Sequence, residues 1–320
     1  MDWPNHDEPW RQWRDAMSGD RMHHGWILAG KRGLGKRDFA SAAARELVQP
    51  ADGSPQPANH PDILTLTNLP KDEKEAKKRD DGKEFQTKRN IAVDQIRQMQ
   101  KRLTTRPTLG DKRAIIVDPA DDMESSASNA LLKSLEEPPI GTFFLLVTHR
   151  PARLLPTIRS RCRILRFPEL NSRSLEQMLN THSGEGNSLA LEAAQLASGG
   201  SYGMAKRFVE EDLGPIAATM GILLKEGDPQ FARRGELAKM IGNRPSRTRL
   251  EAVLDLAQAI AAQGARTAEP ERRVAFIEAH SELVTLAGQA PTFNFDAGLL
   301  AMEIGTLLVS AAPASDRANA

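Results

Sequence analysis

Four short apolar runs alternate with helical periodicity in the first half of the chain. They are Trp26-Ile27-Leu28-Ala29, Asp62-Ile63-Leu64-Thr65-Leu66, Ala114-Ile115-Ile116-Val117-Asp118 and Phe143-Phe144-Leu145-Leu146-Val147. None alternates polar with apolar as a half-solvated strand does, so each predicts a strand buried on both faces. Between them, Phe39, Ala43 and Leu47 recur every four residues beside Ala40, Ala44 and Val48, an amphipathic helix closed by Pro50. Ile91, Ile96, Met99 and Leu103 predict a second helix ending before Pro107. Ala127, Leu131 and Leu135 predict a third, stopped by Pro138-Pro139. Buried strands alternating with helices give an α/β fold with a parallel sheet.

After Phe167 the strand-like runs vanish. Leu175 to Leu179 and Leu189 to Leu196 predict two short helices, the second capped by Gly199-Gly200. From about Leu213 the pattern is helical. Leu250, Val253, Leu254, Ala257 and Ile260 share one face, Val274, Ile277 and Val284 another, and Leu300, Ile304, Leu307 and Leu308 a late one. The expected division is therefore α/β then all-α: residues 1–167, a small helical segment 168–210, and a helical remainder 211–320. Residues 49–59 read as a surface loop. Lys71 to Lys83 mixes both charges with almost no apolar content and predicts a mobile loop. Trp3, Trp10 and Trp13 predict a docked N-terminal helix, and residues 311–320 a frayed end.

Composition narrows the function classes. The 320 residues carry a net charge of only +1, which argues against a stand-alone nucleic-acid binder, since phosphate contacts need an excess of Lys and Arg. Cys162 is the single cysteine, so neither a disulfide within the chain nor a cysteine-rich zinc site is expected. His23 and His24 are adjacent and cannot face one metal from a strand, so no metal site is expected. Residues 1–7 lack the basic and apolar regions of a signal peptide, and no apolar run approaches the roughly 20 residues that span a bilayer. A cytoplasmic protein with no membrane partner is the expectation.

The candidate chemistry lies at Gly30 to Arg37, which read G-K-R-G-L-G-K-R. A phosphate-binding loop follows G-x-x-x-x-G-K-[ST], its backbone N–H groups wrapping phosphate and its hydroxyl binding Mg²⁺. Gly30, Gly35 and Lys36 fit, in the strand–loop–helix context the motif needs. Arg37 does not, because a guanidinium is a donor-only cation and cannot ligate a metal. Asp118 closes an apolar strand where a metal-holding carboxylate belongs, but Pro119 stands where a water-polarising glutamate would follow. ATP or phosphate remains a candidate ligand at Lys36 and Arg37; an empty, solvated loop reads equally well. Asp118 reads as a vestigial metal ligand or as a plain strand end. Thr148 stands where such ATPases place a polar sensor and equally reads as a strand cap.

Longer motifs carry a family resemblance. Asn129-Ala-Leu-Leu-Lys-Ser-Leu-Glu-Glu-Pro-Pro139, Leu154-Leu-Pro-Thr-Ile-Arg-Ser-Arg-Cys162, His60-Pro61-Asp62 and Ile91-Ala92-Val93-Asp94-Gln95-Ile96-Arg97 resemble segments of the AAA+ subunits of the bacterial DNA polymerase III clamp loader. The resemblance covers most of residues 20–210. It implies a P-loop domain, a helical lid and a C-terminal collar that joins subunits, within a DNA-directed DNA polymerase complex. It implies gamma/tau and delta subunits as partners, with the sliding clamp and primed DNA met through the complex. Within that family the sequence resembles the delta-prime branch, whose own ATP site is degenerate. Arg37, Pro119 and Gly203, which stands where active relatives carry a nucleotide-contacting arginine, all depart from the working pattern. The four-cysteine zinc module of many relatives is missing at residues 49–59, so no zinc and no required cofactor are implied. Read on their own, Ser160 and Cys162 are packing or turn residues, with a reactive thiol as the alternative at Cys162. The resemblance also makes Arg161, within Ser160-Arg161-Cys162, an arginine finger supplied in trans. Two rivals stand beside this: an active gamma/tau-like ATPase with an unusual loop, and a stand-alone DNA-binding module.

Overall fold

In the computed structural model the described residues are 2–19, 22–50, 52–183, 191, 194–195, 197–289 and 296–313. The chain divides into two compact units, Met1–Glu169 and Leu170–Ala320.

The first unit orders its elements as α1 (Asp7–Ser18), β1 (Gly25–Ala29), α2 (Lys36–Leu47), β2 (Ile63–Leu66), α3 (Glu73–Asp80), α4 (Val93–Leu103), β3 (Arg113–Val117), α5 (Ser125–Glu136), β4 (Thr142–Thr148), α6 (Pro156–Arg159) and β5 (Arg163–Arg166). The strands form one parallel sheet in the order β2-β3-β4-β1-β5. Each strand sends successive side chains to opposite faces. Leu28, Ile116, Leu145 and Leu165 meet Trp13, Phe39 and Leu47 on one side. Ile27, Ile115, Phe144 and Leu146 meet Ile96, Met99, Leu131 and Ile158 on the other. Three of the four apolar runs thus become the interior strands β3, β4 and β1, and the doubly covered parallel sheet is present. The run at 62–66, expected to be buried on both faces, is instead the edge strand β2, and none of Ile63, Leu64, Thr65 and Leu66 is fully buried, because one side of an edge is left to solvent. Trp13 is fully buried, its ring 5.4 Å from that of Trp26, so the N-terminal helix is docked as expected.

Two further features of this unit depart from the sequence reading. Strand β5 gave no apolar run, because it is an edge strand and only Leu165 of Arg163-Ile164-Leu165-Arg166 is buried. Exposed arginines on an edge keep it from pairing with other chains. Residues 71–83, expected as a loop, contain helix α3. Asp72 caps it by accepting from the Glu75 amide, Glu73 and Glu75 occupy its first turn, and Lys77, Lys78 and Arg79 occupy its last. That charge order complements the helix dipole. The Glu75 carboxylate also accepts from the Gln86 amide at 2.7 Å, closing the segment on itself. The composition looked like disorder because the stabilising groups are the charges themselves.

Beneath the sheet edge, Asp62 is 0% exposed. It accepts from the amides of Thr108 (2.7 Å) and Leu109 (2.8 Å) and lies 3.5 Å from the Arg113 guanidinium. Arg113 in turn donates to the carbonyls of Arg102 (2.6 Å) and Arg106 (2.9 Å). One buried ion pair thereby ties down the turn that joins α4 to β3.

The second unit contains only helices among its described residues: α7 (Ser172–Ser183), α8 (Tyr202–Glu210), α9 (Gly214–Glu226), α10 (Ala232–Ile241), α11 (Arg247–Thr267), α12 (Pro270–Gln289) and α13 (Ala297–Val309). Most of the helix expected at 189–196 lies outside the described residues. Helix α8 ends at Glu210, and Asp212 takes a positive φ of 47° before α9 begins. Helix α12 corrects the periodicity reading: Val274, Ile277 and Val284 are exposed, while Ala275, Phe276, Ala279 and Leu283 face inward. The reason is close packing. A Cβ on Gly264 would lie 2.1 Å from the Phe276 ring, so small residues let α11 and α12 approach and outrank bulkier apolar ones. Ala311 and Ala312, expected to fray, are 1% and 2% exposed, and Arg272 donates to the Ala311 carbonyl.

Candidate functional site

The glycine loop connects β1 to the N-terminus of α2. Gly30 follows the strand and cannot be replaced, because a Cβ would lie 2.7 Å from the Phe167 carbonyl oxygen. Gly35 caps α2 with φ 74°, a left-handed conformation that favours glycine. Its N–H groups and the positive end of the helix dipole make an anion cradle in principle.

The cradle is covered. Trp3 lies over Gly35 so closely that a Cβ there would fall 2.3 Å from the indole. The indole Nε1 donates to Asp38 on the first turn of α2 (3.0 Å). His6 stacks on Trp3 at 5.3 Å between centroids and donates through Nε2 to the Leu34 carbonyl (2.8 Å).

Lys36 is also turned inward. It is 3% exposed, and its ammonium donates to the carbonyls of Gly30 (2.6 Å) and Lys31. Burial pulls its pKa down to about 8, partly opposed by Asp118 and Asp121. Between about 8 and the ordinary 10.5 the unfolded chain therefore holds a proton that the folded chain has released. Stability from this group is lowest below about pH 8 and rises as pH climbs toward 10.5. Lys36→Met is expected to flatten that rise; urea midpoints followed by tryptophan fluorescence across this range check it.

Arg37 reaches across the loop. Its Nε lies 3.5 Å from the Asp118 carboxylate at the end of β3. Burial pushes the Asp118 carboxyl above its ordinary value, while Arg37, Lys36 and Arg32 pull it back down. A cationic side chain thus sits on the carboxylate that would hold a metal. At the end of the neighbouring β4, Thr148 is fully buried and its hydroxyl donates to Asp121, which also accepts from the His149 amide. Burial first, then Lys36, lowers the His149 pKa to about 4, so the imidazole is neutral at physiological pH. Asp121 and Trp3 are the members of this cluster that the motif reading missed. The signal for Asp121 was an acid three residues beyond Asp118; for Trp3, only an aromatic ahead of the first helix.

Gly30, Gly35, Lys36, Arg37, Asp118 and Thr148 therefore come together at the C-terminal ends of the strands. Arg161 does not join them. It precedes β5, and a Cβ on Gly25, at the start of β1, would lie 3.0 Å from the Arg161 carbonyl. The five residues of β1, at about 3.3 Å each, separate Arg161 from the loop by about 16 Å. Its guanidinium pairs with Glu136 at the end of α5 (2.8 Å) and donates to the Thr157 carbonyl (3.0 Å). The Ser160 hydroxyl donates to the same carbonyl (3.0 Å). Cys162 packs beside the core, and burial pushes its thiol up to about 12, so it stays protonated and unreactive. Among the described residues no group of three or more His, Cys, Asp or Glu side chains is placed to hold a metal ion, and no helix is long and apolar enough to cross a membrane.

Comparison with known proteins matches the sequence of the first unit to a known family. Residues 5–171 match the family described as DNA polymerase III, delta subunit. The chain is similar to the DNA polymerase III subunit delta' of Pseudomonas aeruginosa, 32% identical over 68% of this chain and 67% of that protein. It is 30% identical to the delta' subunit of Bacillus subtilis, over 52% of this chain and 48% of that one. With the gamma/tau subunit of Mycobacterium tuberculosis it shares 31% identity over 51% of this chain and 28% of that protein. The match thus spans two thirds of the first relative and about half of the second.

Proposed function

We propose that this chain, which belongs to the DNA polymerase III delta-subunit family, serves in a clamp loader as a delta-prime-type subunit that hydrolyses no ATP itself and presents Arg161 to the ATP of a neighbouring subunit. One observation carries the reading: the arginine lies at the opposite end of the sheet from its own phosphate loop. Any phosphate it reaches belongs to another molecule. The own-site geometry supports the same conclusion. Arg37 holds Asp118, Pro119 supplies no base, Lys36 is spent on its own loop, and Trp3 covers the helix N-terminus.

The finger is held but releasable. Its pair with Glu136 is half-exposed, and such pairs contribute about 0–1 kcal/mol. A γ-phosphate offers a stronger, bidentate acceptor, and a planar guanidinium stabilises the charge spread over a transferring phosphoryl group. Gamma/tau and delta subunits would be its neighbours, and the sliding clamp and primed DNA would be met through the assembly, in keeping with a net charge of +1. The AAA+ unit would act as a rigid scaffold.

The similarity to gamma/tau keeps an active ATPase as the second reading. Equilibrium dialysis of the isolated chain with Mg·ATP separates the two. We expect negligible binding and no hydrolysis. Trp3→Ala, which uncovers Gly35, is expected to raise nucleotide affinity while hydrolysis stays absent, since Arg37 and Pro119 remain. Turnover by the unmodified chain at the rate of a working gamma/tau subunit would overthrow the proposal.

A further inference from the structure

A pocket of about 380 Å³ opens along the free edge of β2, away from the glycine loop. Ser41 and Arg45 of α2, His60, Ile63 of β2, Arg102 of α4 and Ile116 of β3 line it, and no lining residue is acidic. Its volume is within the range of small-ligand sites, which begins at about 300 Å³.

His60 is the telling residue. It is 6% exposed, and its Nδ1 accepts from the Asp62 amide at 3.1 Å. That bond places the ring hydrogen on Nε2, and Nε2 has no hydrogen-bond partner. A buried donor left without an acceptor is costly and rare. The nearby carboxylate of Asp62 is not its partner: its oxygens accept from Thr108 and Leu109 and face Arg113.

Two guanidinium groups flank the same pocket. Arg45 donates to the carbonyls of Pro57 (3.4 Å) and Ala58, and Arg102 to that of Pro61 (3.1 Å). These bonds hold the 57–61 segment in place. They use two of the five donors on Arg45 and one of the five on Arg102. Helices α2 and α4 pack on opposite faces of the sheet, so the two cations approach the β2 edge from both sides, and His60 lines the same pocket.

We propose that this pocket binds a phosphate group, either as inorganic phosphate or as the monoester of a small molecule. Donors converging from three separate elements suit a tetrahedral oxyanion, and paired guanidinium groups bind phosphate oxygens strongly. Ile63 and Ile116 give the pocket an apolar floor on which the remainder of an ester would lie.

The test uses the full chain with ring-¹⁵N-labelled histidine. Inorganic phosphate and, separately, dAMP are titrated by calorimetry and by NMR. We expect the His60 Nε2 resonance to shift with saturation, and Arg45→Gln/Arg102→Gln, which alters two surface side chains, to weaken binding by about tenfold or more. Tighter binding of dAMP than of phosphate assigns an ester as the ligand; equal binding assigns the free ion. Binding that leaves the His60 resonance unmoved, binding undiminished in the double variant, or no binding of either probe would overturn the proposal.

Discussion

Arg161→Ala, placed in a reconstituted loader, is expected to cut hydrolysis at the ATP site facing this chain by about a thousandfold, with the complex still assembled. That is the lower end of the effect of a trans arginine on phosphoryl transfer. On the proposed reading the effect would be large because the guanidinium would act on charge that develops only in the transition state, where preorganised donors count most. Arg161→Lys should recover little, since an ammonium lacks the planar fork that meets two phosphate oxygens together. The side chain is half-exposed and, among the described residues, bonds to Glu136, Thr157 and Ser160, so its loss should leave the fold intact. DNA- and clamp-stimulated turnover, measured with assembly checked by gel filtration, decides the matter. Unchanged turnover at that site would leave this chain as a scaffold and no more.

Asp62→Ala carries the second largest expected effect, and it is on stability. The substitution strips the counter-charge from Arg113, which is 4% exposed at the side chain, and leaves the Thr108 and Leu109 amides unpaired. Breaking a buried ion pair on one side costs about 3–5 kcal/mol. All four tryptophans, Trp3, Trp10, Trp13 and Trp26, belong to the first unit, so urea unfolding followed by their fluorescence reports this unit directly. The effect also has a pH signature. Burial alone would raise the Asp62 carboxyl, but the Leu109 and Thr108 amides and Arg113 outweigh it and hold the group below its ordinary 3.8. The stabilisation is therefore complete above the unfolded value, near pH 4, and disappears as pH falls through the folded one. The gap between wild type and variant should be full at neutral pH and shrink below about pH 4. A gap independent of pH would place the Asp62 contribution in packing and not in charge.

The interior strands and the glycine loop were legible because each writes its burial or its backbone demand directly into residue type. Leu28, Ile116 and Leu145 are apolar because both faces of the sheet are covered, and Gly30 and Gly35 are glycine because a Cβ has no room. Features set by tertiary partners were not legible. The arginines of β5 hide a strand, since an edge is solvated on one side. The exposed Val274 and Ile277 of α12 outweigh its buried alanines on any hydrophobicity scale, and only the Gly264–Phe276 contact reverses the order. At the site, the motif supplied Lys36, Arg37 and Asp118 but could not say that Lys36 turns back on its own loop. Trp3 over Gly35 was out of reach for the same reason: nothing local in either segment encodes their meeting.

The placement of Arg161 and the glycine loop at opposite ends of one sheet gives this subunit a polarity. On the proposed reading one flank is a live donor and the other a dead acceptor. Two copies side by side would set a finger against a loop that holds no nucleotide, and that junction would contribute no turnover. A single copy, placed where its donor flank meets a working ATPase, is all that an assembly can use. The chain is then a terminator in a row of ATPases, fixing where the row ends and which way round it runs.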